Sequence, residues 1–257
     1  MTQKILSVIF SGIALLAIQN KAVANPEIHP WLGLEGGISE TISASSINSI
    51  LLPDTNEAYD YYVTSIKSNT QSFGLSGGYE FSNIFSGMNN RWFPSYRVGL
   101  AYDYYAPQKL SGVIDLYNSN LEGYTYQMKT HSNTLWLENQ VDLVHVKNFT
   151  PFLELGVGAA WNTTKDYSET PVSSNVDPRE QSAALLNHTN RAFAYRTGIG
   201  LNYQPKASGL NIGLLYRYTD RGVAKTGASP NYAEITSLNS PRLRSNDVLL
   251  TFRYNLK

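Results

Sequence analysis

The chain contains no cysteine, which excludes a disulfide scaffold and thiolate metal sites. It carries no net charge, with Lys+Arg 20 against Asp+Glu 20, and gives no electrostatic case for a nucleic-acid partner. Histidines are few and scattered: His29, His131, His145 and His188. No two have metal-ligand spacing, so neither a metal site nor a cofactor is expected. Long hydrophobic runs are also missing beyond the N-terminus, where Ile5 to Ile18 is apolar or small. That stretch of about 14 residues is short of the roughly 20 that a spanning helix needs. Lys4 before it and Ala22-Val23-Ala24 after it match a secretory signal. The reading is a signal at residues 1–24, recognised at Ala22 and Ala24 and cut after Ala24, with one domain over 25–257.

What the chain does have is alternation. The clearest case runs from Phe193 to Tyr203. Phe193, Tyr195, Thr197, Ile199, Leu201 and Tyr203 share one face, and Ala194, Arg196, Gly198, Gly200 and Asn202 share the other. Seven further stretches behave alike: about 29–40, 71–82, 93–105, 132–146, 149–163, 209–220 and 245–256. Each is long enough for a tilted strand to cross hydrocarbon. The segments between them alternate in length. Residues 41–70, 106–131, 164–190 and 221–244 are long and polar, whereas Lys147-Asn148, 204–208 and 83–92 are short or medium. Aromatic residues gather at two levels. Tyr79, Phe81, Trp92, Phe93, Phe149, Phe152, Tyr203, Phe252 and Tyr254 lie at the short-turn ends, and Tyr102, Tyr104, Trp161, Phe193, Tyr195, Tyr216 and Tyr218 at the long-loop ends. Two aromatic girdles, an even strand number and asymmetric loops predict an all-β protein. Its predicted architecture is an eight-stranded antiparallel up-and-down transmembrane β-barrel.

A soluble barrel also alternates, with its apolar face inward. Here the face opposite the apolar one is rich in glycine, including Gly33, Gly74, Gly99, Gly156, Gly158, Gly198 and Gly213. Small residues mixed with charge fit a narrow polar lumen. The layout resembles the small eight-stranded outer-membrane barrels of the OmpA transmembrane domain, OmpX and opacity-protein type. The residues that carry the resemblance are Trp31-Leu32-Gly33-Leu34-Glu35-Gly36-Gly37, Leu153-Glu154-Leu155-Gly156-Val157-Gly158 and the aromatic last stretch. Such barrels usually end on an aromatic read by the insertion machinery, whereas here Tyr254 precedes Asn255-Leu256-Lys257. No peptidoglycan-binding domain is expected after the last strand.

The inward faces place Glu35, Glu80, Asp103, Glu138, Asp142 and Glu154 in one lumen with Arg97, Arg196, Arg217 and Arg253. Unpaired buried charges are costly, so these groups are expected to pair and hold the lumen shut. A gated narrow pore is the alternative, for which the acidic excess would favour cations. Some barrels of this type modify lipid A with a His and a Ser near the outer leaflet. His131 and Ser132 are adjacent, and neighbours on a strand point to opposite faces, so no catalytic residues are assigned. The long loops, with Tyr59, Tyr61 and Tyr62 in the first and a candidate short helix over 180–186 in the third, are candidates for recognition. The expected role is structural, in adhesion or in host contact. The expected partners are outer-membrane lipid and lipopolysaccharide, the barrel insertion machinery and a host surface receptor, at the Gram-negative outer membrane. A narrow diffusion channel and a lipid A-modifying enzyme remain as alternatives.

Overall fold

The computed structural model describes residues 27–51, 59–66, 68–82, 92–115, 122–172, 184–205, 209–230 and 237–256. The signal at 1–24, with Ala22 and Ala24, lies outside the described residues, as do most of the 83–92 connection and most of 180–186. Residues 184–187 are described and are not helical.

Ten strands are present among the described residues: β1 (Glu27–Thr41), β2 (Ala44–Leu51), β3 (Tyr59–Ile66), β4 (Asn69–Ser82), β5 (Ser95–Asp115), β6 (Glu122–Asp142), β7 (Phe149–Pro171), β8 (His188–Tyr203), β9 (Leu210–Lys225) and β10 (Asn239–Asn255). Eight of them form a ring in the order β1-β4-β5-β6-β7-β8-β9-β10. The ring closes because β1 pairs on one edge with β4 and on the other with β10, from Trp31↔Asn255 to Thr41↔Ser245. Every neighbouring pair is antiparallel. The protein is an eight-stranded up-and-down transmembrane β-barrel.

The wall follows the predicted alternation. Leu32, Leu34, Leu100, Leu135, Leu137, Leu153, Leu155, Ile199, Leu214, Val248 and Leu250 all point outward and are exposed. Such a belt is unfavourable in water and favourable against acyl chains. Tyr79, Phe149, Tyr203, Phe252 and Tyr254 flank it below, and Tyr102, Phe193, Tyr195 and Tyr216 flank it above. Phe152 departs from the lower girdle where the sequence placed it. It faces the interior, 1% exposed, against Leu215 and Leu249. At the short-turn end β7 begins after a tight reversal. Lys147 takes a positive φ of 57°, and Val146 and Phe149 exchange backbone hydrogen bonds of 2.9 and 3.0 Å.

The long polar segments differ most from expectation. β5, β6 and β7 run 21, 21 and 23 residues, where about 10 suffice to cross hydrocarbon. They continue well past the upper girdle. The first long segment is not a simple loop but the hairpin β2–β3. β1 and β4 stop near the girdle, and the hairpin takes their place above it. β3 pairs with β5 from Tyr61↔Asp115 to Ile66↔Leu110. On the other side Asn48 and Ser46 hydrogen-bond to the Asn239 carbonyl at the start of β10. The barrel is thereby extended outward, and Tyr62, Ile66, Leu110, Ile114, Tyr124, Tyr126, Met128, Leu185, Ala224, Leu238 and Leu243 fill the extension as one buried apolar cluster.

Candidate functional site

Ion pairs dominate the interior of the spanning half, interrupted by the small buried clusters of Phe152 with Leu215 and Leu249 and of Trp136 with Ala101, Ala160 and Ala194. Nearest the short turns, Arg97 on β5 donates from Nε to Glu80 Oε2 at 2.7 Å and from Nη1 to Asp142 Oδ1 at 2.9 Å. Asp142 also accepts from Ser95 Oγ at 2.7 Å and from Gln140 Nε2 at 3.0 Å. Arg253 donates to Gln140 Oε1 at 2.8 Å and lies over the Trp31 ring, 4.8 Å from its centroid.

Mid-barrel, two arginines share one acidic cage. Arg196 on β8 meets Asp103 Oδ2 at 2.8 Å through Nη1, Glu154 Oε1 at 2.8 Å through Nε, and Glu138 through Nη2. Arg217 on β9 meets Glu35 Oε1 at 2.7 Å, Asp103 Oδ2 at 3.3 Å and Asp247 Oδ2 at 3.5 Å. Both guanidinium side chains are wholly buried. Trp136 lies beneath Arg196, its ring centroid 4.9 Å from the guanidinium carbon. A planar guanidinium with donors around its rim can engage several carboxylates at once while stacking on a ring. Lysine could not replace it here.

Glycine makes the room for this. A Cβ added to Gly74 would sit 2.5 Å from Asp103 Oδ1 and 2.6 Å from Glu35 Cγ. One added to Gly156 would lie 2.9 Å from Arg196 Cγ. A void bordered by Glu35, Glu138, Glu154 and Arg253 measures about 10 Å³, room for about one water.

Above the cage, Tyr105 donates to Asp247 Oδ2 at 3.3 Å, Thr219 donates to the same oxygen at 2.7 Å, and the Arg221 guanidinium carbon lies 3.9 Å from the Tyr105 ring centroid. The apolar cluster then caps the stack. Within it Tyr62 and Tyr126 meet edge to face, with centroids 5.6 Å apart. Burial pushes the Tyr126 hydroxyl up to about 12, partly offset by its hydrogen bond with Thr64. Burial, together with neighbouring Tyr62 and Glu169, also pushes the Tyr167 hydroxyl upward. Both hydroxyls therefore stay protonated near neutral pH.

The ten lumen residues named from sequence all face the interior. Sequence reasoning missed Asp247, Arg221, Tyr105, Gln140, Trp31 and Trp136. Asp247 could have been found, because it shares parity with Arg253 on β10, and Arg221 shares parity with Arg217 on β9. It also missed an outward cluster just above the upper girdle. Arg242 and Arg244 close over Asp220, with Nε–Oδ2 distances of 2.9 and 3.1 Å. Burial alone would raise the Asp220 carboxyl, but hydrogen bonds from Arg242, the Gly222 amide and Arg244 outweigh it and hold it below the ordinary 3.8.

The adjacent His131 and Ser132 are separated by the wall. Ser132 is buried and donates to Asn162 Oδ1 at 2.7 Å, whereas His131 lies beside Tyr104 with ring centroids 6.3 Å apart. Among the described residues no cluster of His, Asp and Glu is arranged to hold a metal ion.

No protein-family model matches the chain, and no curated protein matches it. Among solved structures it is similar to Neisserial surface protein A, at 11% identity and a TM-score of 0.43, over 88% of this chain and 97% of that one. It is similar to the outer membrane protein OprG from Pseudomonas aeruginosa, at 13% and 0.48, over 88% and 96%. It is also similar to the outer membrane protease OmpT from Escherichia coli, at 10% and 0.37, over 92% and 99%. Likeness at this level carries no argument about activity. The ring closure itself carries the fold.

Proposed function

We propose that the protein is a non-conducting barrel of the Gram-negative outer membrane that presents its extended upper wall and loops outside the cell, in a structural or adhesive role. The observation behind this reading is the occupied interior. Paired Arg97, Arg196 and Arg217 block the spanning half, and an apolar cluster blocks the extension above it. An eight-stranded barrel is about wide enough for its own side chains to fill it. Ion passage would require both to open. The outward apolar belt suits lipid and lipopolysaccharide, and exported chains of this kind reach the membrane through a cleaved signal and the insertion machinery. Recognition of a host surface receptor would belong to the extension.

Two measurements test the reading. Gel mobility of the outer-membrane fraction should shift on boiling in detergent, because a closed sheet leaves no free edge from which to unfold. Protein recovered in the periplasm without such a shift would end the membrane reading. Planar-bilayer recordings should show no reproducible conductance steps. Discrete steps would replace the sealed scaffold by a narrow diffusion channel.

A further inference from the structure

On the outer surface of the extension, β3, β5, β6 and β7 enclose a trough of about 440 Å³ lined by Ser65, Lys109, Ser111, Thr125, Gln127, Ser168 and Thr170. Register shifts bend the wall at this place. One lies in β5 between Tyr105 and Gln108, and one in the β6–β7 ladder between Gln127 and Lys129. Asp166 beside the latter takes a positive φ of 57°. Above them the outward positions are aligned across strands. Ser65 faces Ser111, Ser111 faces Gln127, and Gln127 faces Ser168. One row below, Lys109 faces Lys129, and Lys129 faces Lys165.

Like charges directly opposite each other weaken a sheet. Three lysines aligned on an outward face therefore carry a penalty that an anion would relieve. Among the described residues the ion pair of this row is Lys129 Nζ with Asp166 at 3.1 Å, one acid against three lysines. The hydroxyls next to it are largely free to turn outward. Ser65 Oγ donates to the Ser111 carbonyl at 3.1 Å and Thr125 Oγ1 to the Thr170 carbonyl at 3.3 Å, and each hydroxyl oxygen can still accept. Cations under a bed of hydroxyls and an amide suit an anionic sugar.

Height selects the source. The upper girdle runs in register through Tyr104, Asn133 and Trp161. The lysine row lies four or five residues further along the same strands, roughly 10 Å above the girdle once strand tilt is allowed for. That is where the phosphorylated core sugars of a lipid embedded in the same leaflet would reach. We infer that this trough binds the phosphorylated inner saccharide of lipopolysaccharide, with Lys109, Lys129 and Lys165 on the phosphates and the Ser65–Ser111–Gln127–Ser168 row on the sugar. The inference rests on the outer-membrane placement proposed above.

The test uses the full refolded protein and fluorescently labelled rough lipopolysaccharide carried in phosphatidylethanolamine vesicles. Wild type should bind, and more weakly as salt rises. The triple variant Lys109→Gln, Lys129→Gln, Lys165→Gln should bind about tenfold or more weakly, since each cation near an anionic surface contributes measurably. Ser111→Trp keeps every charge but fills the trough and should weaken binding too. Lys109, Ser111 and Lys129 are exposed and Lys165 is half-buried on the outer face, so the boiling-dependent gel shift should persist in both variants. Dephosphorylated lipopolysaccharide should lose the same affinity. Equal binding by wild type and both variants would overturn the site, as would preference for a soluble sulphated oligosaccharide over lipopolysaccharide. Loss of the gel shift in the wild type would instead bring down the membrane reading, leaving the two failures distinguishable.

Discussion

Along β6 the wall turns itself inside out. In the spanning half Leu135 and Leu137 face outward and are exposed, while Glu138 and Trp136 face inward and are buried. Further up the same strand Tyr124, Tyr126 and Met128 are the buried residues, and Thr125, Gln127 and Lys129 face outward. Within β6 the strand and its parity are continuous, although its two ladders shift register at Tyr105/Gln108 and Gln127/Lys129, and what changes is the solvent outside. Against hydrocarbon the apolar side chains go outward, which leaves the interior to charge, and charge confined in a narrow tube must be paired. Against water the ordinary arrangement returns, and the interior becomes a dry apolar core held by area burial. One sheet therefore holds two interiors made stable by different physics.

The sharpest way to break this contrast is to remove a central cation. Arg196→Ala leaves Asp103, Glu138 and Glu154 facing one another without their shared partner, and should destabilise the barrel by about 3–5 kcal/mol. The temperature at which the boiling shift begins would fall, and an unchanged onset would show the cage to be unimportant. In the upper interior Leu110→Ala should cost about 2–5 kcal/mol through the cavity it leaves. Its signature is different: limited proteolysis should cut the β2–β3 hairpin earlier while the ring stays heat-modifiable. Gly74→Ala overfills rather than empties. Its Cβ meets Asp103 and Glu35, for about 1–3 kcal/mol of strain, visible as a lower onset than a control substitution at an outward site.

The smallest effect belongs to the boundary between the two regions. Asp220 is held below the ordinary 3.8 by Arg242, the Gly222 amide and Arg244. A depressed carboxyl contributes its stability above the ordinary value and loses it as pH falls through the folded one. The arginines are nearly half exposed, so the contribution is about 1 kcal/mol or less. The stability gap between wild type and Asp220→Asn should be steady near neutrality and close on acidification below 3.8. A gap that widens in acid would reverse the assignment.

The spanning half was readable because period two and an apolar face coincide with glycine and charge on the opposite face. Parity then fixes where Glu35 or Arg196 points. Above the girdle the same periodicity persists, as in Leu110, Ile114 and Tyr126 alternating with Ser111, Val113 and Gln127, yet the apolar face changes sides relative to the wall. Alternation states which residues share a face and not which face is wet, so 106–131 and 41–70 passed as polar connections. The bulge between Tyr105 and Gln108 adds a parity change in β5, and Pro107 inside it is its local sign, since proline within a sheet is confined to edges and bulges. Trp31, Trp136 and Phe152 escaped for a related reason. A large aromatic on a polar face reads as an exception, although Trp31 and Trp136 are the surfaces on which Arg253 and Arg196 lie.

The seam between β1 and β10 joins nearly the two ends of the described chain, and this governs the order of assembly. Until β10 arrives, β1 and the latest strand both present unpaired amides and carbonyls, which hydrocarbon does not tolerate. The barrel therefore cannot be inserted strand by strand in open lipid. Its last and longest-range contact must form before any of its edges disappear, making closure the slow event in folding. The reverse journey must open one of the eight ladders of the ring before any edge is exposed, so resistance to detergent is a property of a rate as much as of an energy.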